Sequence, residues 1–478
     1  MENNTQKEKL YTIGEFHEEV GVPLIIARKM VIWGEVNAVK VMDGTLRIAE
    51  SEVLKAKEII KHPYRKARIF LRALGPGLIT GASDDDPSGI GTYSSVGAKF
   101  GFAIIWMAAW LLPIMLAVQE ACARIGVVTN KGLAGVIGKH YSKKTVIMIV
   151  GLLIIANVVN IGADLGAMAA SLSMLTKINF YVALIFFAAA IILVEIFIQY
   201  HLYVRVLKWL ALSLFAYVAT GLMINPDWSL IWKDIVTPQI QFSKEYVFAM
   251  VAVFGTSITP YLFFWQASEE VEEGKLIKAT FRNRVMHGRI RRMRTDVKTG
   301  MIFANVAFFF IVLTTAQVLF KNGITEINSA EQAALALKPF AGNAAYLLFA
   351  LGIIGTGLLA IPILAGSGAY ALSEVMKWHE GLELKFSKAK GFYLVIAFSI
   401  LFGLAISCLG INPIKALYYS AFINGVIAVP LLITIMIVGN DKKIMGEETN
   451  PHWVSFFGWL GVLAMIVALI AMGVFYFV

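Results

Sequence analysis

The stretch ASDDDPSGIGTYSS at 82–95 sets three consecutive aspartates, Asp84, Asp85 and Asp86, immediately before Pro87. It follows LRALGPGLITG, an apolar approach of the kind that opens a membrane-crossing helix. A charged side chain at the bilayer centre costs at least ~2.5–3.5 kcal/mol, so acids at that depth read as lining a cavity or an ion path. Pro87 lacks an N–H, and Gly89 and Gly91 tolerate non-helical backbone, so the helix is expected to unwind here. Unwound backbone survives at membrane depth only where it faces protein or water. A carboxylate beside freed carbonyls makes a site for a hard cation. Asp84 or Asp85 can alternatively cap a half-helix or bond the unwound backbone.

The elements that must hold these acids follow from composition. Of 478 residues 58% are hydrophobic and 15% charged, and mean hydropathy is +0.71. Soluble domains are far richer in charge, so the chain reads as an integral membrane protein. Eleven spans are expected, near 73–97, 102–124, 145–172, 179–199, 203–224, 246–268, 299–320, 342–376, 391–410, 415–438 and 454–478. With the N-terminus in the cytoplasm, 22 Lys and Arg fall in inside loops against 7 outside. The positive-inside bias then puts the C-terminus outside the cell membrane, the inner membrane of a bacterial-type cell. The net charge of +10 is on this view a topology signal, not a nucleic-acid signal. Residues 269–298, from EEVEEGK to RIRRMRTD, read as a charged inside loop, more simply a solvated helical hairpin than a regulatory element.

A transporter built from an inverted repeat would carry a matching break about five spans after the first. The sixth span reads VAVFGTSITPYLFFWQASEE, with Gly255, Thr256, Ser257, Thr259 and Pro260 amid apolar sequence. One interrupted helix alone would be read as a proline kink. Two breaks five spans apart, one of them acidic, point to a site.

From about residue 68 onward the chain resembles the Nramp family of divalent-metal transporters. The resemblance rests on LGPG at 74–77, DPSG at 86–89, ADLGAMAASL at 163–172, TSITPY at 256–261 and AGSGAYALSEVM at 365–376. It implies a LeuT-like five-plus-five inverted repeat with broken helices one and six and an eleventh span, in a transporter domain over 68–478. The family's first broken helix carries Asp-Pro-Gly-Asn and its sixth Ala-Thr-Val-Met-Pro-His. Asp86 then matches the metal-binding aspartate, Ser88 stands for glycine and Gly89 for asparagine. Thr256 matches the alanine whose carbonyl faces the metal, and Thr259 takes the methionine position. A thioether favours transition metals, whereas a threonine hydroxyl is hard. Losing the asparagine to Gly89 enlarges the cavity, and a roomy, oxygen-only, acid-rich site suits an ion that keeps its water. Mg2+ dehydrates reluctantly and is usually held by one or two carboxylates plus waters. The pattern is most similar to the Nramp-related magnesium transporters, with Mn2+ as second substrate. Asp84 and Asp85 would accept hydrogen bonds from the ion's waters or act as entry charges.

Proton coupling needs titratable groups in series. His17, His62, His140, His201, His287, His379 and His452 all lie in soluble segments or at span ends, and Trp265 and Gln266 stand where the family's histidine is expected. Asp164 persists in the third span, but Ala167 replaces the glutamate three residues on. Transport driven by the cation gradient and membrane potential, without strict proton coupling, is therefore expected. Asn157, Asn160 and Asp164 form one polar face of the third helix, either an ion-facing stripe or interhelical hydrogen bonding. Asp164 and Asn424, the latter near a metal-contacting glutamine of some relatives, are auxiliary candidates. Glu120 and Glu195 read as snorkelling or helix-pairing residues, and Cys122 and Cys408 as packing residues.

Residues 1–62 read as a small cytoplasmic domain with a winged-helix-like fold. YTIGEFHEEVGVP resembles the opening of MerR-like and excisionase-like domains, and DGTLRIAESEVLKA their hairpin wing, with Asp43-Gly44 as the turn. Without a strong basic stripe this domain is expected to serve self-association or regulation, not nucleic-acid binding. No catalytic constellation and no cofactor are expected: the metal cation is a substrate, and the bilayer is the other partner. Three readings compete with uncoupled import of a metal cation. They are a proton-coupled Mn2+/Fe2+ transporter of the ordinary Nramp type, a sodium-coupled amino-acid permease, and a membrane-anchored transcriptional sensor.

Overall fold

The computed structural model describes residues 9–21, 27, 31, 36–40, 46–61, 76–198, 213–275, 282–382 and 384–477. The chain separates into two units, Met1–Gly75 and Pro76–Val478.

In the first unit β1 (Leu10–Thr12), β2 (Ala38–Lys40) and β3 (Leu46–Ala49) form an antiparallel sheet in the order β1-β3-β2. Ala38 pairs with Ile48 and Tyr11 with Ile48 on the other side. Helix α1 (Ile13–Val20) starts in a capping box: Glu15 N–H donates to Thr12 Oγ1 at 3.1 Å, and Thr12 N–H donates to Glu15 Oε2 at 2.7 Å. Helix α2 (Glu50–Lys61) follows β3, and Phe16, Val36, Ile48, Val53 and Ala56 form a small core. The expected Asp43-Gly44 turn lies outside the described residues. The three strands belong to this unit, and the described elements of the second unit are all helical, as expected of an all-α membrane part.

There the helices are α3 (Pro76–Asp84), α4 (Pro87–Phe100), α5 (Trp106–Thr129), α6 (Leu133–His140), α7 (Lys143–Thr176) and α8 (Phe180–Phe197). They continue with α9 (Phe215–Met223), α10 (Trp228–Val236), α11 (Lys244–Ser257), α12 (Pro260–Lys275) and α13 (Arg282–Val318). After short helical turns come α14 (Ala345–Met376), α15 (Lys390–Ser407), α16 (Pro413–Asn440) and α17 (His452–Phe477). Among the described residues nine stretches are long and apolar enough to cross a bilayer. The expected first span is divided between α3 and α4, each too short to cross alone. The expected fifth span lies largely outside the described residues, with α9 as its described part.

One expectation fails in its details. Residues 282–298 are helical, as the hairpin reading expects, but they form the first turns of α13 and one side of them is packed rather than solvated. Ile290, Met293 and Val297 recur at helical spacing and are buried, and Asp296 is buried with them. Arg294 Nε donates to Glu120 Oε1 at 2.6 Å, and Arg124 Nη2 to the same oxygen at 2.7 Å. Glu120 therefore pairs helices and does not snorkel.

The helices around the breaks pack with backbone against backbone. A Cβ at Gly255 of α11 would collide with the Ala421 carbonyl of α16, and one at Gly425 would meet the Val251 carbonyl. Only glycine at both positions allows this approach, which sets Asn424 beside the broken sixth span.

Candidate functional site

Both expected interruptions are present. Helix α3 ends at Asp84, Asp85 lies in a turn, Asp86 is extended, and Pro87 opens α4. Helix α11 ends at Ser257, and Pro260 opens α12 after Ile258 and Thr259. The local causes match. Proline is pre-shaped for the first helical position, and the residue before it is pushed out of the α region. At the first break an aspartate completes the start: Asp86 is the N-cap of α4, and its Oδ1 accepts the Gly89 N–H at 2.7 Å.

The other oxygen of Asp86 faces α7 and α12. Oδ2 accepts from Asn160 Nδ2 at 2.9 Å, and the Tyr261 hydroxyl stands 3.4 Å away. Asn160 also leans on Asp164, with Nδ2 3.4 Å from Oδ2, and Asp164 Oδ1 accepts the Ser88 N–H at 3.1 Å. Asn424 Nδ2 donates to Asn160 Oδ1 at 3.3 Å. Asp86, Ser88, Gly89, Asp164 and Asn424 are thus joined in one buried network spanning α4, α7 and α16. Thr256 lies against it: a Cβ at Gly89 would stand 3.4 Å from Thr256 Oγ1.

A second group of polar atoms at the breaks has no hydrogen-bond partner. Both oxygens of Asp84, both of Asp85, and the hydroxyls of Ser88, Thr256 and Thr259 are all buried in this condition. Each of these residues is at most 2% exposed. An unsatisfied buried hydroxyl or amide costs roughly 1–3 kcal/mol and a charged group more, so such a concentration calls for an explanation. Among the described residues no three His, Cys, Asp or Glu side chains are grouped so as to hold a metal ion by themselves. Any ion here would draw on hydroxyl, carbonyl or water oxygens as well as on a carboxylate.

The polar face of α7 divides between its two readings. Asn160 and Asp164 reach the break, whereas Asn157 Nδ2 bonds the Leu364 carbonyl and Ser367 Oγ of α14, both at 2.8 Å, as interhelical glue. Gln266 lies in a chain of its own: Thr80 Oγ1 donates to Gln266 Oε1 at 2.7 Å, and Gln266 Nε2 donates to Glu270 Oε1 at 3.1 Å. Sequence reasoning missed Tyr261 altogether and took Asn160 only as part of a stripe. The signal for Tyr261 was its place directly after the second break's proline.

Residues 77–475 match the family described as natural resistance-associated macrophage protein-like, Nramp. Over 412 residues the chain is 24% identical to the divalent metal cation transporter MntH of Klebsiella pneumoniae, covering 84% of this chain and 93% of that one. MntH of a second strain of the same organism matches equally well. Among solved structures, a manganese transporter of Eremococcus coleocola in complex with an aromatic bis-isothiourea substituted compound superposes with a TM-score of 0.69. Identity there is 18%, with 86% of this chain and 87% of that one covered, so the likeness is one of fold. With four-fifths of its length matched, this chain belongs to the Nramp family and is a multi-pass membrane protein.

Proposed function

We propose that this protein is a secondary transporter that imports a divalent metal cation by alternating access, taking Mg2+ with part of its water shell. Mn2+ is the second substrate, and strict proton coupling is absent. The observation that carries the reading is the set of partnerless oxygens at the two breaks, on Asp84, Asp85, Ser88, Thr256 and Thr259. A hydrated ion would satisfy them through its waters while one carboxylate oxygen of Asp86 binds it directly. All of these donors are hard, and no thioether stands where the family carries methionine. In this reading Asp86, Ser88, Gly89, Thr256 and Thr259 line the site. Asp84 and Asp85 receive the ion's waters, and Asp164 and Asn424 support it from behind.

Alternating access would move the pair of broken spans around the site, within a five-plus-five inverted repeat that an eleventh span extends. The cytoplasmic N-terminus, the external C-terminus and a role of residues 1–62 in self-association or regulation, in a MerR-like fold, belong to the same proposal. Absence of strict coupling draws support from Gln266, a non-titrating amide in a hydrogen-bonded chain, and from Ala167.

The relatives favour a second reading, ordinary proton-coupled manganese transport, since MntH and the Eremococcus protein are named for divalent metal cations and manganese. Uptake into liposomes separates the two. Saturable Mg2+ entry that Asp86→Ala abolishes supports the hydrated-ion reading. Mn2+ entry that excludes Mg2+ establishes the other.

A further inference from the structure

The first break orphans one particular carbonyl. In a continuing helix the Ser83 carbonyl would accept the N–H of residue 87, four positions on, but that residue is Pro87 and has none. The missing donor comes from the other broken span. The Tyr261 hydroxyl donates to the Ser83 carbonyl at 2.6 Å, across 178 positions of sequence. The same hydroxyl lies 3.4 Å from Asp86 Oδ2. Tyr261 is fully buried and sits one residue beyond Pro260, so its position is fixed by the second break as firmly as that of Ser83 is by the first.

We infer that Tyr261 determines specificity by withholding the Ser83 carbonyl from the transported ion. The inference rests on the proposed transport function and deepens it. A backbone carbonyl next to a carboxylate is a strong inner ligand for a cation that sheds water readily, and of less use to Mg2+, which keeps its waters. With the Tyr261 hydroxyl engaged on that oxygen, an ion at the break meets Asp86 and the hydroxyls but not this carbonyl, which favours the hydrated ion. Removing the hydroxyl takes this donor from the carbonyl and turns a hard backbone oxygen toward the ion. Mn2+ and Ca2+ then gain affinity over Mg2+. Tyr261 touches Asp86 at the edge of hydrogen-bond distance, so it also helps to fix the direction of that carboxylate.

The test is Tyr261→Phe, which keeps the ring and removes only the oxygen. Full-length wild-type and variant proteins are reconstituted in liposomes, and KM and maximal rate are measured for Mg2+, Mn2+ and Ca2+. Cation-induced thermal stabilisation of the same proteins in detergent gives a second readout that needs no transport. The expected result is a fall in KM for Mn2+ or Ca2+ relative to Mg2+ of about tenfold, the factor that ~1.4 kcal/mol of differential binding gives. The stabilisation series should shift in the same order. Parallel changes for all three ions, or no change in their ratio, overturn the inference and leave Tyr261 a packing residue. Failure of the variant to fold overturns it too, by making the hydroxyl a structural necessity. A wild-type protein that moves no divalent cation refutes the transport function itself. An unchanged ratio in a working transporter refutes only the role of Tyr261.

Discussion

Asn160 Nδ2 lies 2.9 Å from Asp86 Oδ2, joining the third long helix to the first break over 74 positions of sequence. Through Asn424 on one side and Asp164 on the other, that amide also ties α16 and α4 into the same network. Asn160→Ala should take from the Asn424 amide its acceptor and from one oxygen of each carboxylate, Asp86 Oδ2 and Asp164 Oδ2, the Asn160 donor. We expect a loss of roughly 1–3 kcal/mol in stability, read as a lowered thermal midpoint in detergent. The affinity for the transported cation should fall as well. Asn160→Asp should be worse than alanine, because it adds a third carboxylate beside Asp86 and Asp164.

Thr259→Met places a thioether where the family carries one. Selectivity should move from Mg2+ toward Mn2+ and softer ions such as Cd2+. Competition of these ions for uptake by the variant and wild type measures the shift. Unchanged competition would remove Thr259 from the site.

Gly255→Ala should be among the most damaging of small substitutions, since its methyl would collide with the Ala421 carbonyl. Overpacking of this kind costs about 1–3 kcal/mol. Gly473→Ala, where nothing lies within 4 Å of the added carbon, is the control and should be neutral. Thermal unfolding of both variants in one detergent makes the comparison.

Glu120→Gln keeps an acceptor oxygen but removes the negative charge that Arg124 and Arg294 share. The Arg124 side chain is only 3% exposed, and its remaining contact, to Glu448, is 3.7 Å long. Leaving that guanidinium short of a carboxylate should cost ~3 kcal/mol. Arg294→Gln should cost much less, because that side chain is 42% exposed and its pairing is screened by water.

The two breaks were legible because proline and glycine stand out in apolar sequence, and Asp86-Pro87 states its own local geometry as cap and first helical residue. The long helices were legible from length and hydropathy, most boundaries lying within a few residues of those expected. The network behind Asp86 was not. Nothing local to Asn160 separates it from Asn157, yet one reaches the break and the other bonds α14, because helix rotation and neighbour packing decide. The helical start of α13 was legible, but the charges of RIRRMRTD hid the buried face formed by Ile290, Met293 and Val297. The contact made by Tyr261 was not legible for a simpler reason: its partner is a backbone carbonyl on a different span.

The central claim is that an ion rests between the two breaks, held by oxygen and water. Anomalous diffraction from crystals grown in Mn2+ locates such an ion directly. The account predicts a peak between Asp86 and the Thr256–Thr259 segment, with water density toward Asp84 and Asp85, and its loss in Asp86→Ala. A peak elsewhere in the molecule, with the space between the breaks empty at saturating Mn2+, would contradict it.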